Sequence, residues 1–278
     1  MAARAIKDVS YDFSGRVVVV TGAARGLGRA HALGFAAAGA DLVISDIAAP
    51  IEAISYGMAS KEDLNAVAEE IRGLGARCLT STCDVRDETQ VEAMIDAALS
   101  EFGQIDVLLN NAGANGVVSL EKLDRESWSS VLDSQLLGAF NCCKLAAASM
   151  VERKKGTILV TGSAASFVAV PENVHYTAAK HGLLGLVRGL AVELAPHGIN
   201  VNMVCPGAIR TGMSDGMGSA SPKWVGGLGE LTGTWNLFEP NQMLEPEEVT
   251  NAMLWLASDA AAFVTGVALP VDAGYLVK

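Results

Sequence analysis

The chain begins its regular pattern with an apolar run, a glycine-rich turn and an alanine-rich stretch. "RVVVVTG" (16–22) is β-branched and ends in glycine, "GLGRAHALGFAAAGA" (26–40) has a helical composition, and "DLVISD" (41–46) is again short and apolar. β-Branched residues favour strands and alanine favours helices. The order predicts strand, glycine turn, helix and strand, which is the start of a βαβ unit.

The same alternation continues along the rest of the chain. Helical patterns are predicted at 61–74, 88–102, 124–153 and 175–197, and strands at 77–85, 105–113, 156–163, 199–207 and 266–274. Apolar strands separated by helices indicate a parallel sheet that is covered on both faces. No linker or low-complexity run divides the chain, so we expect a single α/β domain.

Two stretches interrupt this rhythm. Residues 47–60 lengthen the connection after the second strand, and residues 212–245 are rich in Gly and Met. Long irregular insertions are commonly lids or binding loops. For 47–60 we favour a surface excursion or a subunit contact; for 212–245 we favour a substrate lid.

Composition and charge exclude several classes of protein. The 278 residues are 50% apolar and carry a net charge of −11 without a basic stripe, so we expect no nucleic-acid partner. Apolar runs are too short for a membrane span and the N-terminus lacks a signal-peptide core, which predicts a cytoplasmic protein with no membrane association. The five cysteines lack CxxC spacing, so we expect reduced thiols and no metal site.

A dinucleotide site is indicated by "TGAARGLG". Gly22, Gly26 and Gly28 allow the backbone to approach a pyrophosphate at the start of a helix, whose N–H groups favour anions. Asp46 ends the next strand, where a carboxylate accepts hydrogen bonds from ribose hydroxyls and repels the extra phosphate of NADP. The cofactor is therefore predicted to be NAD. Arg25 is a counter-signal because it could pair with that phosphate, although a solvent-exposed place at the turn is favoured.

A proton-transfer group is indicated by Tyr176, Lys180 and Ser163. Residues four apart share a helix face, and a nearby ammonium is expected to lower the pKa of a phenol. Ser163 follows an apolar strand, at the sheet edge where open α/β folds bind ligands. The pair is suited to moving a proton to or from an alcohol or a carbonyl.

Together, "TGAARGLG", "NNAG" (110–113), Ser163, "YTAAK" (176–180) and "PGAIRT" (206–211) resemble the short-chain dehydrogenase/reductase family. The resemblance covers residues 14–278 and leaves 1–13 as an N-terminal extension. It implies a single-domain Rossmann fold, with a doubly wound seven-stranded parallel sheet and helices on both faces, and a homotetramer.

The resemblance also implies residue roles. Tyr176 would be the general acid/base, Lys180 would lower its pKa and hold the nicotinamide ribose, and Ser163 would orient the substrate. Gln135 stands in "VLDSQLLGAF", where the family usually has an asparagine that holds a proton-relaying water, so slower or pH-shifted turnover is expected. The residues expected around the cofactor are Gly22, Arg25, Gly26, Leu27, Gly28, Asp46, Ile47, Asp84, Val85, Asn111, Tyr176, Lys180, Ile209 and Thr211.

The long loop after Asp46 and the ending "VTGVALPVDAGYLVK" are similar to the mycofactocin-coupled, carveol-dehydrogenase-like branch, which implies tightly held NAD beneath the insertion. An apolar lid with Trp224, Trp235, Leu237 and Phe238 would suit a small hydrophobic secondary alcohol or ketone. The alternative for these lid residues is packing against a neighbouring subunit.

Two alternatives to a freely exchanging NAD-dependent dehydrogenase stay open. One is a nicotinoprotein that does not release its NAD. The other is a nucleotide-sensing scaffold without turnover, which Gln135 favours and which the intact Ser163, Tyr176 and Lys180 oppose. His175 either touches the substrate or makes local hydrogen bonds at the entrance of its helix, and we favour the second.

Overall fold

A computed structural model describes residues 9–54, 56–214, 236–239 and 242–277. The strands are β1 (Val17–Thr21), β2 (Asp41–Asp46), β3 (Cys78–Thr82), β4 (Val107–Asn110), β5 (Gly156–Thr161), β6 (Ile199–Pro206) and β7 (Ala268–Val271). The helices are α1 (Gly26–Ala37), α2 (Lys61–Gly73), α3 (Glu88–Phe102), α4 (Arg125–Leu132), α5 (Gly138–Arg153), α6 (Val174–Leu194) and α7 (Pro246–Ala257).

The seven strands form one parallel sheet in the order β3-β2-β1-β4-β5-β6-β7. In the centre, Val19 of β1 is paired with Val43 of β2 on one side and with Leu108 of β4 on the other. The chain order reverses between β1 and β4, and open α/β sheets bind ligands at the carboxyl ends of strands beside such a point. The predicted seven-stranded Rossmann fold is confirmed.

Helices cover both faces of the sheet, because its central strands β1 and β4 are apolar and buried along their whole length. One core joins the sheet to α3, α5 and α6, and includes Met94, Met150 and Val187. The other joins it to α1, α2 and α7. Phe13, the last residue of the predicted extension, lies in this second core with its ring centroid 4.8 Å from that of Phe35.

Local signals explain where several helices begin and end. Ser60 and Asp63 form a capping box at the start of α2. The Asp87 carboxylate accepts hydrogen bonds from backbone N–H groups in the first turn of α3, and Gly103, with φ 77°, caps the other end of that helix. Asparagine, aspartate and serine at N-caps satisfy backbone N–H groups that lack helical partners. Residues that are close in sequence to each helix end therefore fix these boundaries.

Three features differ from the sequence pattern. The helical zone predicted at 124–153 is split by a π turn, Asp133–Leu137. The helix α7 was not predicted, although Pro246 at its first turn and two acidic residues after it are start signals. Strands predicted at 105–113 and 266–274 are shorter, at Val107–Asn110 and Ala268–Val271.

Across the described ranges, none of the helices combines the length and the apolar character that a membrane-spanning segment requires. The five cysteines are free thiols. Among the described residues, no three His, Cys, Asp or Glu side chains are grouped as metal ligands.

Candidate active site

A cavity of about 490 Å³ opens at the carboxyl ends of the strands, beside the junction of β1 and β4. The two strand ends are tied together by Asn111, whose Nδ2 donates to Thr21 O at 3.0 Å and to Gly22 O at 3.2 Å. All residues predicted for the cofactor and for catalysis line this cavity except Gly28, which lies behind it. The structure therefore brings the predicted site together.

The glycine turn leaves no room for a side chain at Gly22 or at Gly28. Gly22 and Gly26 have φ values of 65° and 55°, which favour glycine. A Cβ at Gly28 would lie 2.0 Å from Gly22 O, and a Cβ at Gly22 would lie 2.8 Å from Ala112 Cα. Arg25, the N-cap of α1, makes no side-chain capping bond and the first turn has no acidic residue. The N–H groups of α1 thus fit a pyrophosphate.

Asp46 joins the end of β2 to this turn. It is 8% exposed, its Oδ2 accepts from Ala24 N at 3.1 Å, and its Oδ1 accepts from Ala48 N at 3.2 Å. A buried carboxylate at this place fits ribose hydroxyls and disfavours a second phosphate dianion. The residue geometry therefore fits NAD.

Arg25 is held by the 47–60 insertion. Its guanidinium donates to Gly57 O, lies 3.7 Å from Met58 Sδ, and sits over the Tyr56 ring at 5.4 Å from the centroid. Arg25 is thus half-buried and engaged with the insertion, at the turn where the sequence analysis favoured a solvent-exposed place.

The 47–60 insertion lines the cavity through Ile51, Tyr56 and Met58. Ile51 and Ile54 are 7% and 8% exposed and pack in a small core with Ala114 from the β4 side. Tyr56 also accepts a hydrogen bond from Asn115 N at 3.3 Å through its hydroxyl. The interpretation of this stretch as a surface excursion was wrong, because its apolar side chains turn inward. The subunit contact that was favoured beside it stays a prediction.

Ser163, Tyr176 and Lys180 meet at one side of the cavity. Ser163 follows β5, and its hydroxyl accepts from Ala165 N at 3.1 Å and hydrogen-bonds Tyr176. Lys180 Nζ donates to Thr161 O at 2.8 Å and lies 5.4 Å from the Tyr176 ring centroid. The groups are placed to hold a substrate oxygen and to move its proton.

The pKa values of the pair differ from the expectation. Burial raises the pKa of Tyr176 to about 12, although the Ser163 hydrogen bond opposes this shift. Burial lowers the pKa of Lys180 to about 7. The expected lowering of the Tyr176 pKa by an ammonium is thus not found, because the loss of solvation is the largest influence on this group and raises its pKa. Near neutral pH the pair loses one proton, and these pKa values place the proton that remains on Tyr176; its passage to Lys180 would form the phenolate.

Gln135 lies in the π turn between α4 and α5. It is 3% exposed, and its Nε2 donates to Ala114 O at 3.0 Å. A Cβ at Gly113 would lie 2.5 Å from Gln135 Cδ, so Gly113 makes room for this longer amide. π turns inside α-helices are frequent at functional sites.

Sequence reasoning missed several cavity residues, namely Tyr56, Ser134, Asn173 and Tyr275, whereas Gln242 and Met243 fall within the lid predicted at 212–245. Of the missed residues, only Asn173 could have been found from the sequence, because it lies one helical turn before Tyr176 and so shares its helix face. Trp224 and Trp235 lie outside the described residues. Leu237 and Phe238 are 50% and 86% exposed and do not line the cavity.

His175 is fully buried at the start of α6 and does not line the cavity, so the structure does not place it on the substrate. The local hydrogen bonds that the favoured interpretation expected are not found at either ring nitrogen among the described residues. Burial lowers the pKa of His175.

Comparisons with known proteins agree with this geometry. The family model described as enoyl-(acyl carrier protein) reductase matches residues 22–276. A (−)-trans-carveol dehydrogenase from Rhodococcus erythropolis is 35% identical over 272 residues, which are 95% of this chain and 98% of that protein.

Two solved structures are similar along the whole chain. A short chain dehydrogenase from Mycobacterium paratuberculosis bound to NAD has a TM-score of 0.90 at 33% identity, covering 96% of this chain and 100% of that chain. A carveol dehydrogenase from Mycobacterium avium in complex with NAD has a TM-score of 0.87 at 34% identity, covering 97% and 100%. This chain therefore belongs to the short-chain dehydrogenase/reductase family, in its carveol-dehydrogenase-like branch, and is an NAD-dependent oxidoreductase.

Proposed function

We propose that this oxidoreductase interconverts a small hydrophobic secondary alcohol and its ketone, with Tyr176 as general acid/base. The observation that carries the proposal is the meeting of Ser163, Tyr176 and Lys180 in the cavity that also holds the glycine turn and Asp46. The apolar lining of the cavity by Ile51, Met58, Val170 and Met213 supports a hydrophobic substrate.

In the oxidation direction, the alcohol loses its hydroxyl proton to Tyr176 and a hydride from its carbinol carbon. NAD, when bound, accepts that hydride. Ser163 holds the substrate oxygen while the C–O single bond becomes a carbonyl. Lys180 keeps the phenolate favourable when it carries the shared proton. Reduction uses the same groups in reverse, with the Tyr176 phenol as proton donor.

A panel of secondary alcohols and ketones, assayed with NAD and NADP, tests this proposal. Tyr176→Phe removes the oxygen that moves the proton, so we expect at least a hundredfold loss of kcat. Tyr11→Phe is the matched control, because Tyr11 packs against Phe13 outside the cavity and should leave turnover unchanged. Turnover that survives Tyr176→Phe would exclude the mechanism. Absence of wild-type turnover on the whole panel would favour the scaffold alternative.

A second candidate function is that of a mycofactocin-linked nicotinoprotein that retains its NAD. The hydrogen bond from Arg25 to Gly57 O favours it, because it fixes the 47–60 insertion against the glycine turn. Nucleotide released by denaturing purified, dialysed protein is the readout. The nicotinoprotein predicts stoichiometric NAD in the wild type and loss of NAD in Arg25→Ala. Arg29→Ala, which removes only the exposed pair with Glu70, is the control.

The homotetramer and the cytoplasmic location belong to the same proposal. Apolar side chains exposed on the α4–α5 segment and on α6 support association, with Leu137 at 43%, Phe140 at 44% and Val192 at 80% exposure. Light scattering on wild type and Phe140→Glu tests the assembly. A tetramer in the wild type and a smaller species in the variant are expected.

A further inference from the structure

The ends of three neighbouring strands, β1, β4 and β5, are joined by side chains where their backbone pairing stops. The ladder of β4 ends at Leu109 toward β1 and at Asn110 toward β5. Beyond these pairs, Thr21 Oγ1 accepts from Asn111 N at 3.0 Å, and Thr161 Oγ1 donates to Asn111 Oδ1 at 3.1 Å. Asn111 therefore stands between two threonines, and it lines the cavity together with Thr161.

The partners of the Asn111 amide decide its orientation. Its Nδ2 lies against two carbonyl oxygens, Thr21 O at 3.0 Å and Gly22 O at 3.2 Å, and a carbonyl oxygen can only accept. The amide oxygen must then face a donor, which is the hydroxyl of Thr161. Loss of that hydroxyl would leave the amide oxygen without a donor among the described residues, and the amide could turn away from Gly22 O.

Thr161 also contacts the proton-transfer pair. Its backbone carbonyl accepts from Lys180 Nζ at 2.8 Å. Thr161 is 8% exposed, so both of its bonds lie where solvent has little access and where hydrogen bonds are electrostatically stronger than in water. One residue thus bonds the lysine through its carbonyl and, through its hydroxyl and Asn111, the carbonyl of the glycine turn.

We propose that Thr161 is a positioning residue, whose hydroxyl holds the Asn111 amide and through it keeps the glycine turn in the shape that binds the pyrophosphate of NAD. A Cβ at Gly22 would lie 3.2 Å from Asn111 Nδ2, and a Cβ at Gly28 would lie 2.7 Å from the same atom. The amide thus packs against the turn at two positions, so its displacement moves the backbone groups that favour an anion. The inference rests on NAD binding at this turn and does not depend on which alcohol or ketone reacts.

Calorimetric titration with NAD tests the hydroxyl directly. Thr161→Val keeps the β-branched shape and removes the donor, so the Kd for NAD should rise about threefold or more. Thr161→Ser keeps the hydroxyl and should return the Kd to within about twofold of the wild type. Thr157→Val is the matched control and should leave the Kd unchanged. Thr157 lies half-buried on the same strand, outside the cavity, and its hydroxyl has no partner among the described residues.

A double-mutant cycle tests whether Thr161 acts through Asn111. Asn111→Ala removes the amide, so adding Thr161→Val to it should raise the Kd little further. Two increases that multiply would show another route and overturn the proposal. If Asn111→Ala does not fold, the valine and serine variants at 161 decide the case alone. If the wild type keeps its NAD through dialysis, the rate of NAD loss replaces the Kd, with the same order of variants expected.

Thermal unfolding without NAD separates positioning from general stabilisation. A lower Tm with an unchanged Kd in Thr161→Val would assign the hydroxyl to stability alone and overturn the proposal. A weakened affinity that serine does not restore would also overturn it. These results are read from binding, so they are distinct from failure of the proposed function, which is the absence of Tyr176-dependent turnover in the panel of alcohols and ketones.

Discussion

Replacement of Gly28 by alanine is the sharpest test of the cofactor turn. The added Cβ would lie 2.0 Å from Gly22 O and 2.7 Å from Asn111 Nδ2. Ordinary contact begins at 3.4 Å, so the carbonyl and the methyl group must separate by about 1.4 Å. Gly22 O belongs to the backbone of the turn, and Asn111 ties it to β4. Relief of the clash therefore has to move the turn itself.

The magnitude follows from this displacement. Overpacking of a tight site costs about 1–3 kcal/mol, and a clash with backbone belongs at the upper end. At about 2–4 °C per kcal/mol for a domain of this size, the Tm should fall by about 6 °C or more. Because the moved N–H groups are those that would hold the pyrophosphate, the Kd for NAD should rise at least tenfold.

Thermal unfolding and calorimetric titration with NAD measure both effects. Gly73→Ala is the matched control, because Gly73 ends α2 with nothing within 4 Å of an added Cβ. Alanine should leave its Tm unchanged or slightly higher, since alanine favours helices. If Gly28→Ala matched Gly73→Ala in both Tm and Kd, the close approach at the turn would not exist and the reasoning would fail.

Four further predictions concern the chemistry of the site. Asp46→Asn removes the charge that opposes a second phosphate, so the ratio of kcat/KM with NADP to that with NAD should rise about tenfold or more; an unchanged ratio would contradict the role of Asp46. In the wild type, alcohol oxidation should rise with pH up to about 7, where the Tyr176–Lys180 pair loses its first proton, and then level off. Lys180→Met leaves Tyr176 alone with its pKa of about 12, so oxidation should be slower and rise about tenfold per unit from pH 7 to 10; a profile that matches the wild type would refute the shared proton. Gln135→Asn shortens by one methylene the side chain whose amide donates to Ala114 O, and we expect the rate or the pH profile of turnover to change. An identical rate and profile would show that Gln135 has no part in the proton relay.

The sequence by itself determined the alternation of strands and helices and the chemistry placed at their ends. Apolar periodicity predicted α3 at 88–102 and β2 at 41–46, which are also their observed bounds, because caps and β-branched runs act on neighbouring residues. The glycine turn and the Tyr176–Lys180 spacing are likewise local patterns. Their meeting in one cavity followed from the rule that parallel strands present their carboxyl ends at one edge.

Only the tertiary structure decided what depends on distant contacts. The 47–60 insertion turns inward because Ile51 and Ile54 find apolar partners that come from other parts of the chain. The pKa of Tyr176 rises because solvent is excluded by surrounding segments, a quantity that spacing along one helix does not contain. Asn173 has the sequence of a helix cap, but the unpaired state of its oxygen is a property of the packed site. Contacts between residues far apart in the chain set burial and pairing, and these determine the chemistry of each group.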